Sequence, residues 1–572
     1  VAGAATERRR SNPLGLLPDI SRAVLRRVLR PLRVAWRRNW FYRSLLKGRL
    51  PDRVLHHPFD ALPRRLEEAD ATLKGRFRFA GETVDLVKGS IFDRPPPSAA
   101  WAMALHSFEW LAPLSAAGGE AARVLATRLI SQWVARNGRY GEPAWLPQIM
   151  ARRLIQLLAH GRFVIANSDM LWRSRLFVSL REQSRLLPRI VEEAPEGLPR
   201  LEAAAANVLA IACLDDQTKR LDAGLAQFEA QIAAQILGDG GHASRSPEQL
   251  LHAYRHIVMT IDALTAVGYP VPAGIRSAHD RIAPMLRFFR HGDGALALFN
   301  GGIECDGRMI AGLLARDDVR GLPFLHAPHS GFQRLTAGRA LAIMDCGAPP
   351  EGALSLAAHA GCLSFEFSTG GQRLVVNCGA GDVSAAHWQS ALRNTAAHST
   401  VTLADTSTVP VLPAGWVRDL LGPRLVSLAA HIETERHETP HGWCVEAHHD
   451  LYLREFRIVH ERRLTLSPHG TVLTGGDRLM PSGRGPHAIV PYAVRFHIHP
   501  DIRMSASQGG SVILKLPNGD GWRFRHGGPI AIEESVYLGR GVVRRSEQLV
   551  LAGEVKNEPV EIGWAFEKIA VE

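Results

Sequence analysis

The chain is poor in cysteine: Cys213, Cys305, Cys346, Cys362, Cys378 and Cys444 are all it has in 572 residues, and none form a Cys-x-x-Cys pair. That excludes a disulfide scaffold and a thiolate zinc cage, and it fits a reducing compartment. Most of the six stand in apolar or strand-like runs, where cysteine packs as a small hydrophobe. No apolar run approaches the roughly 18 to 20 residues of a membrane-spanning helix. Val1 to Asn12 is small and basic, and Leu14 to Leu17 is too short to be the apolar part of a secretory signal. The expected location is cytoplasmic or peripheral to the inner membrane. A periplasmic one, with a leader removed before residue 1, is the alternative. Tyrosine is scarce too: Tyr42, Tyr140, Tyr254, Tyr269, Tyr452, Tyr492 and Tyr537 are the seven, so phenol chemistry has few places to sit.

Positive charge is abundant. Lys and Arg number 68 against 56 Asp and Glu, a formal net charge of +12, which favours anionic partners such as polyuronates, sulfated glycans or anionic lipid. No zinc-finger or RNP signature accompanies the charge, so nucleic acid is not expected. Much of the excess is N-terminal, in Arg22, Arg26, Arg27, Arg30, Arg33, Arg37, Arg38 and Arg43. Leu25, Val28, Leu29, Leu32 and Trp36 recur between them at helical spacing. That is the pattern of a basic amphipathic helix able to lie on an anionic membrane. Pro31 is expected to interrupt it, and an arm packed on its own domain is the alternative.

The length exceeds what one hydrophobic core supports, so two large domains are expected. From about Pro95 to Phe289 apolar residues follow the helical period. Helices are predicted over Glu120 to Arg136, Ala151 to His160, Ser168 to Leu187, Leu198 to Leu214, Arg220 to Leu237 and Pro247 to Val267. Serial helices with short loops fit an α-solenoid closed into a toroid, with a globular bundle as the alternative. From about Gly321 the period becomes two, with turn signals at Gly370-Gly371, Gly475-Gly476 and Pro517 to Gly521. Helices followed by many strands predict two separate architectures, α then β, with the boundary between His291 and Gly321.

The densest block runs from Ala358-His359-Ala360-Gly361-Cys362 through Leu374 to Gly379 and on to Arg393-Asn394-Thr395-Ala396-Ala397-His398-Ser399. Strand alternation sends Leu363, Phe365 and Phe367 one way and Ser364, Glu366 and Ser368 the other. His359, Asn377 and His398 then fall at strand ends, where a sheet can present them to one cleft. Further matching pieces are Leu105 to Leu111, Asp239 to Pro247, Ser330 to Leu335 and Glu446 to Tyr452. In this order they resemble the heparinase II/III-like family of polysaccharide lyases.

The resemblance implies a basic arm over 1–50, an incomplete α/α toroid over 51–305 and an antiparallel β-sandwich over 306–572. It also implies β-elimination of a uronic-acid-containing glycan in a cleft between the two domains. That chemistry needs a base for the proton α to the carboxylate, a donor to neutralise the carboxylate, and an acid for the departing oxygen. The implied catalytic groups are His242, Tyr254 and His359. The implied substrate contacts are Asn207, Arg245, Asn377, Arg393, His398 and Tyr452. The match is partial. Family lyases often carry Tyr-His shortly after the Ser-Pro turn, whereas here Ser246-Pro247 is followed by Glu248-Gln249-Leu250-Leu251, and Tyr254 lies further on.

Zinc-containing relatives carry an aspartate where this chain has Asn377, a poor ligand, so no metal or other cofactor is expected. His448 and His449 precede Asp450, but neighbouring strand residues face opposite ways and make no chelate by themselves. Glycoside hydrolysis would need two opposed carboxylates; Glu109, Glu248 and Glu366 are candidates that no spacing pairs. The alternative to a lyase is a non-catalytic or divergent glycan-binding, envelope-associated protein that keeps the frame.

Overall fold

The computed structural model describes residues 13–570 apart from 62, 64, 167, 215–217, 317–321, 382–385, 427–429 and 484–487. It is an incomplete α/α toroid followed by an antiparallel β-sandwich. The helices Gly119–Asn137, Pro147–His160, Met170–Ile190, Leu198–Cys213, Thr218–Gln235, Pro247–Ala266 and Ala273–Phe289 form the toroid. Leu198–Cys213 lies at its centre, packed against Pro147–His160, Thr218–Gln235 and Pro247–Ala266. Every residue from Leu201 to Cys213 is buried, as an alanine-rich helix with almost no polar face requires. Pro247 opens its helix at the first turn, where its missing N–H costs nothing. The helical body continues past 305, because Gly307–Leu314 packs on Pro247–Ala266.

Helix Pro13–Arg38 runs unbroken through Pro18 and Pro31. The expected interruption at Pro31 does not occur, because the carbonyl that loses its donor lies on an exposed helix open to water. Arginines hold this arm to the toroid: Arg37 pairs with Glu193, Arg30 with Glu142 and Arg43 with Glu182. Just beyond it, Arg181, Arg185 and Arg189, one turn apart on Met170–Ile190, donate to the carbonyls of Gly48, Lys47 and Leu45 at 3.2, 3.0 and 3.5 Å. Leu17, Leu25, Val28, Leu32, Trp36 and Trp40 are left exposed.

The sandwich comprises an eight-stranded and a nine-stranded antiparallel sheet. Their inner faces meet at Phe365 stacked on Trp564 (5.4 Å), with Phe496 edge-to-face on Trp564 (4.8 Å) and Phe367 edge-to-face on Trp522 (5.3 Å). The outer face of the nine-stranded sheet packs on the toroid, with Phe332 against Phe289 and Phe299. Both faces are therefore covered, and strand Ala340–Asp345 is buried throughout. The Gly370-Gly371 turn joins Phe365–Thr369 to Gln372–Val376, as its sequence predicts. Glu366 and Ser368 point to the toroid, where both meet the His291 ring.

Candidate functional site

The toroid meets the sandwich at the turn before Pro247–Ala266. His242 is buried there, its Nδ1 2.7 Å from Ser244 Oγ and its Nε2 3.1 Å from Gln235 Oε1. Burial alone lowers its pKa to about 4. Both nitrogens are engaged within the turn, so His242 braces this segment and does not line an open cleft. Arg245 has a left-handed backbone, φ 59°, and its side chain crosses to the sandwich. Nε donates to Ser330 O at 2.8 Å, Nη1 to Gly347 O and Ala348 O at 2.9 and 3.1 Å, and Nη2 pairs with Asp345. The carboxylate expected from a uronate is supplied by this chain itself.

Asn300 links that turn to the histidine block. Its Nδ2 donates to Arg245 O at 3.3 Å, and its Oδ1 accepts from the His359 backbone N–H at 3.4 Å. His359 and His398 then form a relay. His398 Nδ1 lies 2.9 Å from the carbonyl of Asn394, which can only accept, so that nitrogen carries the proton. His398 Nε2 is thus an acceptor, and His359 Nδ1, 3.1 Å away, is its donor. The network leaves the lone pair on His359 Nε2, on the side of Gly301, where a Cβ would come within 3.5 Å of it. Burial first, and then the neighbouring His398 and Arg393, lower the His359 pKa well below its ordinary value; burial holds His398 to about 4. Both rings are neutral at pH 7.

The other expected contacts are turned inward. Asn377 donates to Leu298 O and accepts from Ser399 N–H, both at 3.1 Å, and is fully buried. Arg393 donates to the carbonyls of Ala358 and Ser355 at 2.8 and 2.9 Å, and so fixes the loop carrying His359. The Tyr452 hydroxyl donates to Val401 O at 3.0 Å inside the sandwich core. Asn207 lies within the buried central helix. Tyr254 is fully buried, with its hydroxyl 3.0 Å from His279 Nε2 on the next helix. Asn377, Arg393, Tyr452 and Tyr254 are thus engaged with backbone or with a neighbouring element, whereas Asn207 Oδ1 is buried with no hydrogen-bond partner among the described residues.

Sequence spacing missed a second group. His252 keeps 32% of its side-chain surface exposed, yet burial depresses its pKa to about 4. Glu248 lies 3.9 Å from it, and Gly302, whose Cβ would fall 3.7 Å from that of Glu248, adjoins the Gly301 backbone beside His359. Arg152 reaches Glu202 at 3.0 Å and Glu109 at 4.0 Å. Burial raises the Glu202 carboxyl, but Arg152 and His256 outweigh it and hold it well below the carboxylate range. The i, i+4 spacing of Glu248, His252 and His256 was the available signal. Glu366, the third hydrolysis candidate, is fully buried against His291 and the Leu298 and Asn377 N–H groups.

A family model described as "Heparinase II/III-like, C-terminal" matches residues 319–565. The FtsZ-localized protein C of Caulobacter vibrioides (strain NA1000 / CB15N) is 35% identical over 548 residues, covering 93% of this chain and 94% of that protein. The chain belongs to the heparinase II/III-like family. Solved structures agree on the fold. A crystal structure of heparinase III superposes with a TM-score of 0.69 at 12% identity, covering 92% of this chain and 89% of that one. The heparan sulfate lyase HepC from Pedobacter heparinus gives 0.58 at 16% identity, covering 92% and 87%.

Within the heparinase II/III-like frame, the zinc position of metal-containing relatives does not fit the residues present. Asn377 has both side-chain atoms engaged, and His398 uses both nitrogens. Only His359 Nε2 keeps a lone pair there, and one donor does not hold a zinc ion.

Proposed function

We propose that this chain is a membrane-docked, division-associated protein that keeps the heparinase II/III-like frame and does not carry out β-elimination. One observation carries the proposal. The cation expected on the uronate and the phenol expected on the leaving oxygen are both committed inside the fold, Arg245 to Asp345 and Tyr254 to His279. Without neutralisation the proton α to the carboxylate stays too weakly acidic, and without an acid the glycosidic oxygen must leave as an alkoxide. Similarity to FtsZ-localized protein C over nearly the whole chain supports a place with FtsZ. The exposed stripe of Leu25, Val28, Leu32 and Trp36 supports docking on a lipid surface through Pro13–Arg38. Among the described residues no helix is long and apolar enough to cross a membrane.

The test is to incubate the full chain with a panel of polyuronates and follow the ultraviolet absorbance of unsaturated uronate. A flat trace is expected, and a rise overturns the proposal. A fluorescent fusion is expected to gather with FtsZ, and a uniform distribution counts against the second half.

Cleavage of a uronic-acid-containing polysaccharide is a second reading, favoured by one observation. The relay through His398 leaves His359 Nε2 unprotonated on the side of Gly301, and Arg152 stands half-exposed against Glu109 and Glu202. In that case Arg152, not Arg245, would face the carboxylate. The same absorbance assay decides it, with His359→Ala as the control.

A further inference from the structure

A cluster of metal-ligating side chains lies on the opposite, solvent face of the sandwich. Strands Ile432–Thr439 and Gly442–His449 form an antiparallel ribbon at one edge of the eight-stranded sheet. Alternation puts Val445, Ala447 and His449 in the core and leaves Glu446 and His448 outside, opposite Glu435 and Glu433. His431 stands one residue before the edge strand. Its Nε2 is 2.6 Å from one oxygen of Glu433, and His448 Nε2 is 3.6 Å from the other. All three donor groups lie within 4.8 Å of one another. Asp450 fixes His431 from behind, accepting its N–H at 2.8 Å and donating to its carbonyl at 3.3 Å. On the far side, His448 pairs in register with Glu461 of the next strand.

From this geometry we infer that His431, Glu433 and His448 bind one divalent transition-metal ion of the zinc class. Two imidazoles and a carboxylate suit zinc and its neighbours and discriminate against calcium and magnesium, which take all-oxygen sites. Metal–donor bonds of about 2.0–2.2 Å bring three such groups onto one ion with side-chain adjustment alone. The ion replaces any proton held between the imidazoles and Glu433, and its remaining positions face solvent and the Glu461 strand. It would pin the entry to an edge strand, the part of a sheet most prone to pair with another chain. A second group, His437, Cys444 and Glu446, lies further along the same face. It is the weaker candidate, because Arg463 Nε already sits 2.5 Å from the Glu446 carboxylate.

The full chain, stripped with chelator, is titrated with zinc by calorimetry. One saturable site is expected. His448→Ala and the near-isosteric Glu433→Gln should each weaken it at least about tenfold, a loss that even an outer-shell partner can cause. His437→Ala should leave it unchanged, as circular dichroism should be in all three. Cobalt(II) should give d–d absorption without a thiolate charge-transfer band. The inference is overturned if no saturable zinc binding occurs or if binding survives both His448→Ala and Glu433→Gln. Loss of binding in His437→Ala together with a thiolate band also overturns it, by moving the ion to the Cys444 group.

Discussion

Arg245, from the turn that opens a toroid helix, and Asp345, from the end of a sandwich strand, form a buried ion pair across the domain junction. Burial lifts the Asp345 pKa even with the guanidinium beside it, so the pair holds its place through its many hydrogen bonds as well as its charge. Arg245→Ala leaves a buried carboxylate and several carbonyls unpaired. A loss of about 3–5 kcal/mol is expected in denaturant unfolding. Unchanged stability would return Arg245 to the list of free substrate contacts.

Acid should destabilise the protein in two stages. The first comes from buried neutral histidines such as His242 and His398, whose folded pKa values near 4 lie below the ordinary value. The unfolded chain binds more protons, so the stability they contribute is present above about pH 6.5 and is lost as pH falls toward 4. The second comes from Asp477. Burial raises its carboxyl, but Arg462 and His460 outweigh burial and hold it far below the carboxylate range. Its contribution is present above about pH 4 and is lost below that. Unfolding free energy measured from pH 7 to 3 should fall throughout and steepen at the end, and Asp477→Asn should reduce the steep part, to which Glu202 also contributes.

Tyr254→Phe removes the hydrogen bond to His279 and leaves the ring packed. A cost of about 0.5–1.5 kcal/mol is expected by thermal or denaturant unfolding. Any glycan turnover should be unaffected. Complete loss of turnover in a folded Tyr254→Phe variant would restore the phenol as the acid.

The arm gives a lipid prediction. Replacing Leu25 and Val28 with Glu should lower co-sedimentation with anionic vesicles more than tenfold, since each apolar side chain buried contributes about 1.5–3 kcal/mol. Helix content should be retained, because the pairs of Arg37 with Glu193 and Arg30 with Glu142 lie on the other side of the helix. Binding should also weaken with salt, as the flanking arginines require.

The toroid and sandwich were legible because the apolar period changes from helical to two, and predicted spans such as Leu198 to Leu214 and Pro247 to Val267 fall within a residue of the helices found. The relay between His359 and His398 and the commitment of Arg245 were not. Both depend on the path of the chain between distant segments, and Arg245 also depends on a positive φ that nothing local announces. The pairing of Glu433 with His448 lay nearer to hand. They stand at equal distances on either side of the Pro440-His441 turn, so a tight hairpin alone brings them together.

The hydrogen bonds of the three-rung joint of Arg181, Arg185 and Arg189 go to main-chain carbonyls of the arm segment, and Arg189 also lies over the Tyr42 ring. Leu45 and Lys47 can therefore drift to almost any residue during divergence without loosening the arm. Gly48 cannot, because a methyl group there would fall 2.1 Å from the Arg185 guanidinium and push it off Lys47. Among relatives, arginines at these three helix positions should travel with a glycine at this one, and that pairing would mark which of them carry a fastened arm.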